Sequence, residues 1–200
     1  AVSKPAENIR QSAYICYEPQ KLLVVKHLFE QEAPHRVIIF TDSKKKTKEL
    51  ALSIIRAGYN ARAMHSDLSQ AERDEVMFSF RSGKTDILVA TDIVARGIDI
   101  DDIALVINFD VPRDEEDYVH RIGRTARAGR GGRAVTFVAE KDMHYFRQIE
   151  RFLGKEIPKE VMPEELGETP TYRSNMSGGK KHHSKGKQAE MGKGGDKSKK

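Results

Sequence analysis

Three apolar runs constrain the fold most: Arg36-Val37-Ile38-Ile39-Phe40-Thr41, Asp86-Ile87-Leu88-Val89-Ala90-Thr91 and Ala104-Leu105-Val106-Ile107-Asn108-Phe109. Each is continuous rather than alternating, so both faces of the segment are covered, as in a central strand of a parallel sheet. Stretches with helical spacing separate them. Pro19 suits the first turn of a helix with Leu22, Leu23, Val25, Leu28 and Phe29 on one face. Ser43 can cap the next, which carries Leu50, Ile54 and Ile55 and ends at Gly58. Ser69-Gln70-Ala71-Glu72 forms a capping box ahead of Val76, Met77 and Phe80, and Gly83 stops that helix. Pro112 and Asp114 start another, and Asp142 opens a last one with Met143, Phe146, Ile149, Phe152 and Leu153. Further strands are predicted over 13–17, 60–65 and 133–139, while residues 1–12 are polar without a clear period. This alternation predicts an α/β fold, a mainly parallel sheet sandwiched by helices and joined by right-handed crossovers. Ligands of such sheets bind beyond the carboxyl ends of the strands. Thr41-Asp42-Ser43-Lys44, His65-Ser66-Asp67 and Thr91-Asp92 all follow strand ends and are expected on one rim.

The folded part also carries the arginine-rich stretch His120-Arg121-Ile122-Gly123-Arg124-Thr125-Ala126-Arg127-Ala128-Gly129-Arg130. Arg121, Arg124 and Arg127 step by three, which on a helix keeps them within an arc of roughly 120°. No acidic residue lies within the stretch. Guanidiniums match phosphate oxygens two at a time, so a cluster of this kind is suited to an anion. Charge elsewhere sharpens the point. The chain is +5 overall, but from Thr171 onward nine lysines and arginines face only Glu190 and Asp196, so the rest is close to neutral. From Met176 the chain is Gly, Ser, Lys, His and Gln with almost no apolar residue, a composition that cannot bury enough surface to fold. Residues 1–159 are therefore predicted as the folded domain and 160–200 as a basic disordered tail. His182-His183 is a lone pair in that polar tract and is read as solvated; no metal site is expected. No apolar run approaches the roughly 20 residues of a membrane span. The single Cys16 forms no internal disulfide and lies in the apolar stretch Ala13 to Tyr17, where it is read as a core residue.

Two further constellations bear on phosphate chemistry. In Ala90-Thr91-Asp92-Ile93-Val94-Ala95-Arg96-Gly97-Ile98-Asp99 a buried strand opens into a polar loop. Its Thr91 hydroxyl and backbone N–H groups can donate to a nucleic-acid phosphate, and Asp99 can accept from ribose hydroxyls or orient an arginine. A plain strand-end turn with Asp92 as an N-cap would explain Asp92 but not Arg96-Gly97. In His65-Ser66-Asp67-Leu68-Ser69-Gln70-Ala71-Glu72-Arg73, Gln70 and Arg73 lie one helical step apart. There they can reach a phosphate backbone or pair with Glu72 or Asp74. The chain has no Gly-x-x-x-x-Gly-Lys-[Ser/Thr] loop to cradle phosphates and no acidic pair after a strand to hold Mg²⁺. Alone it is not expected to hydrolyse a nucleotide.

Four segments, in order, resemble motifs of DEAD-box RNA helicases. Val37-Ile38-Ile39-Phe40 with Thr41 is similar to motif IV, and His65-x-Asp67-x-x-Gln70-x-x-Arg73 to the H-G-D-x-x-Q-x-x-R segment, with Ser66 where the family usually has Gly. Val89-Ala90-Thr91-Asp92-x-x-Ala95-Arg96-Gly97-Ile98-Asp99 resembles motif V, and His120-Arg121-Ile122-Gly123-Arg124-Thr125-Ala126-Arg127 resembles motif VI. The likeness covers about residues 1–155 and implies a RecA-like (P-loop NTPase-like) helicase C-terminal domain. It implies that Arg124 and Arg127 are catalytic arginine fingers for ATP, that Asp99 contacts the ribose and that His120 links to the first domain. It places Thr41, Ser43, Lys44, Gln70, Arg73, Thr91, Arg96, Gly97 and Arg121 toward RNA. Mg²⁺ would be held by the N-terminal RecA-like domain of the same protein. The implied enzyme is an ATP-dependent RNA helicase that unwinds short duplexes by ATP-driven closure of its two domains, with this domain inactive by itself. RNA is the partner the resemblance implies; a monomer is expected, with no membrane association, and the single cysteine favours the reducing cytoplasm. A superfamily 2 DNA helicase and a free-standing RNA-binding module that relies on the basic tail are the alternative readings.

Overall fold

The three apolar runs become neighbouring strands in a computed structural model, which describes residues 3–5, 7–96, 100–125 and 131–178. Strand β2 (Val37–Phe40) lies between β4 (Ile87–Ala90) and β5 (Leu105–Asn108), with Ile38 level with Leu88 and Val106. Strands β1 (Ile9–Ile15), β3 (Ala61–Met64) and β6 (Gly132–Val138) complete the order β1-β6-β5-β2-β4-β3, every pair parallel. Helices α1 (Lys21–Gln31) and α2 (Lys44–Arg56) cover one face, where Val25, Phe29, Leu50 and Ile54 meet Val37, Ile39 and Val89. Helices α3 (Gln70–Arg81), α5 (Glu115–Ile122) and α6 (Met143–Leu153) cover the other, where Phe80, Tyr118 and Phe146 share a core with Ile38, Phe40 and Leu88. The central strands are apolar on both faces because both faces are covered. One-turn α4 (Asp92–Ala95) follows β4 directly.

Local signals account for the helix starts. The Ser43 hydroxyl accepts from Lys46 N at 3.2 Å, Ser69 and Glu72 form the predicted capping box, and the Asp114 carboxylate accepts from Asp117 N at 2.8 Å. Gly58 takes a left-handed φ of +94° just past α2, a conformation that costs glycine little. Strand β1 begins earlier than its predicted start at Ala13. It is an edge strand, and its ladder to β6 runs from Ile9 opposite Gly132 to Ile15 opposite Val138. Backbone pairing there tolerates the polar side chains of Arg10, Gln11 and Ser12 that conceal the strand in the sequence.

The domain boundary drawn at 159 from composition is corrected: the packed chain runs on past it. Glu160 N donates to Ala13 O at 2.8 Å and Ala13 N to Pro158 O at 2.9 Å, which adds a rung beside β1. The Glu150 carboxylate, fully buried on α6, accepts from Ile157 N at 2.7 Å, from Lys159 Nζ at 2.5 Å and from the Tyr172 hydroxyl. The Tyr172 ring stands edge-on to Phe146, centroids 5.6 Å apart. Gln20 Nε2 donates to Leu166 O at 2.8 Å and Glu168 O at 2.9 Å. Hydrogen bonds to a buried carboxylate and to backbone hold this segment, and an apolar-periodicity reading does not register them. Residues 179–200, the larger part of the predicted tail, lie outside the described residues. Among the described residues no helix is long and apolar enough to cross a membrane.

Candidate nucleotide and nucleic-acid interface

The connections after β2, β4 and β5 meet at the carboxyl rim. They enclose a cavity of about 300 Å³ whose lining includes Thr41, Thr91, Ile93, Arg96, Arg113 and Arg121. Arg121 forms its floor. The residue is 3 % exposed. Nε and Nη2 grip both oxygens of Asp92 at 2.7 and 2.6 Å, and Nη1 donates to Asp110 O at 2.9 Å and to Asn108 Oδ1 at 3.3 Å. Its guanidinium lies over the Phe40 ring, 5.2 Å from the centroid. The RNA role expected of Arg121 is therefore corrected: its donors face inward, and the residue joins α5 to α4, β5 and the β2 end. The expected helical arc of three unneutralised arginines is corrected with it. Helix α5 stops at Ile122 with Gly123 as its C-cap, so Arg124 has left the helix, and Asp92 neutralises Arg121 from 29 residues away. Asp92 is the first residue of α4 rather than its N-cap; Thr91 holds that position.

A second ion pair crosses the same two helices in the opposite sense. Arg96, just after α4, pairs with Asp117 of α5 at the open edge of the cavity. Arg96 and half-buried Thr91 thus stay within reach of a ligand at the rim. Thr41 does not. It is 1 % exposed, its hydroxyl shares a 2.6 Å bond with Thr47 Oγ1 and donates to Ser43 O at 3.1 Å, and so its expected RNA contact through the side chain is corrected. Ser43 is exposed and uses its hydroxyl as the cap of α2.

The expected Lys44, Gln70 and Arg73 surface gathers on the β3 side of the rim. Lys44 and Lys48 converge on Asp67, with Lys44 Nζ at 2.9 Å. Hydrogen bonds from Lys48 and then Lys44 bring the Asp67 carboxyl down to about 2. Burial, then nearby Lys48, lowers the His65 pKa and favours the neutral imidazole. Gln70 Nε2 donates to Asp74 Oδ1 at 2.9 Å, the internal pairing the spacing allowed. Arg73 Nη2 reaches Ser66 O at 3.4 Å, and its Nε is buried with no hydrogen-bond partner.

The residues expected toward the nucleotide lie on the last turn of α5 and the turn after it. His120 is exposed on the last turn of that helix. Arg124 is half-buried, with Nη2 directed to Ala95 O at 3.3 Å and its own carbonyl accepting from Ile103 N at 3.1 Å. Thr125 is buried and donates from its hydroxyl to Ile103 O. Its side chain lies against Gly132, where a Cβ would stand 1.8 Å from Thr125 Oγ1 and 2.6 Å from Thr125 Cβ. Gly132→Ala is expected to displace Thr125 and to destabilise the domain by about 1–3 kcal/mol, read by urea unfolding. A Gly132→Ala midpoint equal to that of the unmodified chain would show that the turn yields without cost. Gly97, Asp99 and Arg127 lie outside the described residues.

Sequence reasoning missed one cluster altogether. Lys21, 0 % exposed, binds Asp110 Oδ1 at 2.9 Å and Glu18 Oε2 at 3.0 Å, while Lys46 reaches the same Asp110 oxygen at 2.9 Å. Burial works against each charge. Asp110 and Glu18 nevertheless leave the Lys21 pKa raised, and Lys21 and Lys46 leave that of Asp110 lowered. All three groups stay ionised across the neutral range. Asp110 thereby links α1 and α2 to Arg121, which takes its carbonyl. No local pattern reveals a pair 89 positions apart. Cys16 is fully buried beside this cluster; burial pushes its thiol up to about 11 despite Lys21, consistent with an inert core residue. Among the described residues no group of three or more His, Cys, Asp or Glu is placed to hold a metal.

A six-stranded parallel sheet with helices on both faces and arginine-bearing loops at its rim defines a RecA-like helicase domain. Residues 20–129 match the helicase conserved C-terminal domain family. The chain is 44% identical over 150 residues to the ATP-dependent rRNA helicase RRP3 of Phaeosphaeria nodorum, covering 75% of this chain and 28% of that protein. It is 45% identical over 139 residues to the ATP-dependent RNA helicase CshA of Listeria monocytogenes, covering 70% and 27%. Among solved structures, the E. coli DEAD-box protein SrmB, bound to the regulator of ribonuclease activity A, superposes with a TM-score of 0.74 at 34% identity, covering 86% of this chain and 98% of that one. The chain belongs to the helicase C-terminal domain family and is the C-terminal RecA-like domain of a DEAD-box RNA helicase. It spans less than a third of the length of either curated relative.

Proposed function

We propose that this domain supplies one wall of a composite ATP and RNA site, with the other wall on an N-terminal RecA-like domain of the same protein. The observation that carries the reading is the physical coupling of its two faces. Thr91 and Arg96, at the nucleic-acid rim, flank α4, which is tied to α5 by Asp92–Arg121 and Arg96–Asp117. Arg124, toward the nucleotide, reaches the last carbonyl of the same α4. A displacement felt at one face is delivered to the other, as ATP-driven closure on RNA requires. The donor set suits half of a nucleotide site. Arg124, with Arg127, would meet phosphate charge as arginine fingers, His120 would face the opposing domain, and Asp99 would take the ribose. The sequence holds no phosphate-cradling loop, so ATP and its Mg²⁺ would depend on the other domain, and the isolated chain would be inactive.

Toward RNA, the reading uses Thr91, Arg96 and Gly97 at the cavity and Ser43, Lys44, Gln70 and Arg73 on the β3 side. Exposed Lys44 and the half-buried Arg73 guanidinium supply the positive charge that suits a phosphate there. Contacts of this kind address backbone and sugar and give binding that is largely independent of sequence. The relatives are ATP-dependent RNA helicases, which agrees with strand separation as the outcome. ATP turnover by the two-domain protein, measured with RNA and with DNA, tests the reading: stimulation by RNA is expected, and stimulation by DNA alone would overturn it. Thr91→Ala is expected to raise the RNA concentration needed for half-stimulation by about tenfold while ATP affinity stays within twofold, since one charge-assisted contact is worth about 1.4 kcal/mol. Equal losses on both would remove Thr91 from the RNA face.

A further inference from the structure

Among the described residues, two other than glycine occupy the left-handed region of backbone space, Arg36 at φ +53° and Asp102 at φ +60°. A side-chain-bearing residue stays there only where its surroundings hold it. Here the two positions meet. Arg36 Nε donates to Asp102 O at 2.8 Å and Arg36 Nη2 donates to Asp101 O at 2.7 Å. The carbonyl of Arg36 accepts from Ala104 N at 2.9 Å. Its guanidinium is held over the fully buried Phe80 ring, Cζ 5.5 Å from the centroid. One residue therefore grips three points of segment 101–104, at the end of the sheet where β2 and β5 begin. Arg36 belongs to none of the phosphate-facing segments.

The gripped segment bears directly on the nucleotide face. Both backbone polar groups of Ile103 are taken by the turn after α5: its N–H donates to Arg124 O at 3.1 Å, and its carbonyl accepts from Thr125 Oγ1. Segment 101–104 is thus the ledge on which Arg124 rests. We infer that Arg36 is a positioning residue: by clamping the Asp101 and Asp102 carbonyls it sets the height of Ile103, and through Ile103 the placement of Arg124. This rests on the reading of Arg124 as a finger. The forked guanidinium suits the task, because two carbonyls on successive residues need two fixed donors, which a lysine ammonium on a flexible stem does not supply in one plane.

The test uses Arg36→Asn in the two-domain protein. Asparagine accepts the left-handed backbone, so the start of β2 is preserved, but it is too short to reach Asp101 and Asp102. Amide exchange of Ile103 is expected to speed up about tenfold, while Val106 and Ile107 in β5 and the thermal midpoint stay as they were. RNA-stimulated kcat is expected to fall about tenfold, with the KM for ATP and the affinity for RNA within twofold. Arg36→Lys, which can satisfy one carbonyl, is expected to fall between. A rise in exchange spread equally over β5 would make Arg36 merely structural, and unchanged exchange at Ile103 would remove the clamp; either overturns the inference. An unchanged kcat in Arg36→Asn, beside a wild type that responds to RNA, overturns the inference alone. A wild type with no RNA-stimulated turnover overturns the reading of Arg124 first, whatever the exchange at Ile103.

Discussion

Arg121→Ala is expected to remove about 3–5 kcal/mol from the unfolding free energy of the domain, the range for deleting one partner of a buried ion pair. The size follows from what remains. Without the guanidinium, the half-buried Asp92 carboxylate, the Asp110 carbonyl and the buried Asn108 Oδ1 all lose a donor. Asp92→Ala leaves the complementary defect, a guanidinium in the core whose Nε and Nη2 have lost their acceptors. Arg121→Lys is expected to recover little, because a single ammonium does not span both Asp92 oxygens and the Asp110 carbonyl together. Urea unfolding of the three variants measures this. Losses below about 1 kcal/mol, the range of exposed pairs, would mean that Arg121 is solvated and that its outward RNA role deserves restoring.

Arg124→Ala separates function from stability in the opposite way. Arg124 is half-buried, where Arg121 is fully buried, so its removal is expected to cost the domain less stability than the loss of Arg121. In the two-domain protein it is expected to lower RNA-stimulated kcat by about a thousandfold or more, the scale of an arginine finger, with the KM for ATP far less affected. Arg124→Lys is expected to rescue poorly for want of the bidentate fork. A loss confined to KM would identify Arg124 as a ground-state phosphate ligand instead.

The sheet was legible because its central strands are apolar on both faces, a pattern that few other arrangements tolerate. The helix starts were legible because Ser43, Ser69 and Asp114 act within three residues of the N–H groups they cap. What escaped reading acts over distance. Arg121 is three residues from Arg124 and looks equivalent to it, yet its partner Asp92 lies on another helix. Lys21 reads as the polar start of an amphipathic helix and is instead the most enclosed cation in its cluster. Thr41 looks like an open rim hydroxyl, and Thr47, one turn into α2, closes it off. Edge strand β1 and the segment beyond 159 are held by backbone bonds and by Glu150, which carry no hydrophobic period. Of the site, the rim and its motif segments were legible, while the division between outward-facing and load-carrying arginines was not. That division is a property of packing between α4 and α5, and no local spacing encodes it.

The composite-site reading is tested most directly by ATP turnover of this chain alone and of the two-domain protein, each with and without single-stranded RNA. The expected result is no turnover by the chain alone and RNA-stimulated turnover by the two-domain protein that Arg124→Ala abolishes; hydrolysis by the chain alone, or stimulation indifferent to Arg124→Ala, would contradict it.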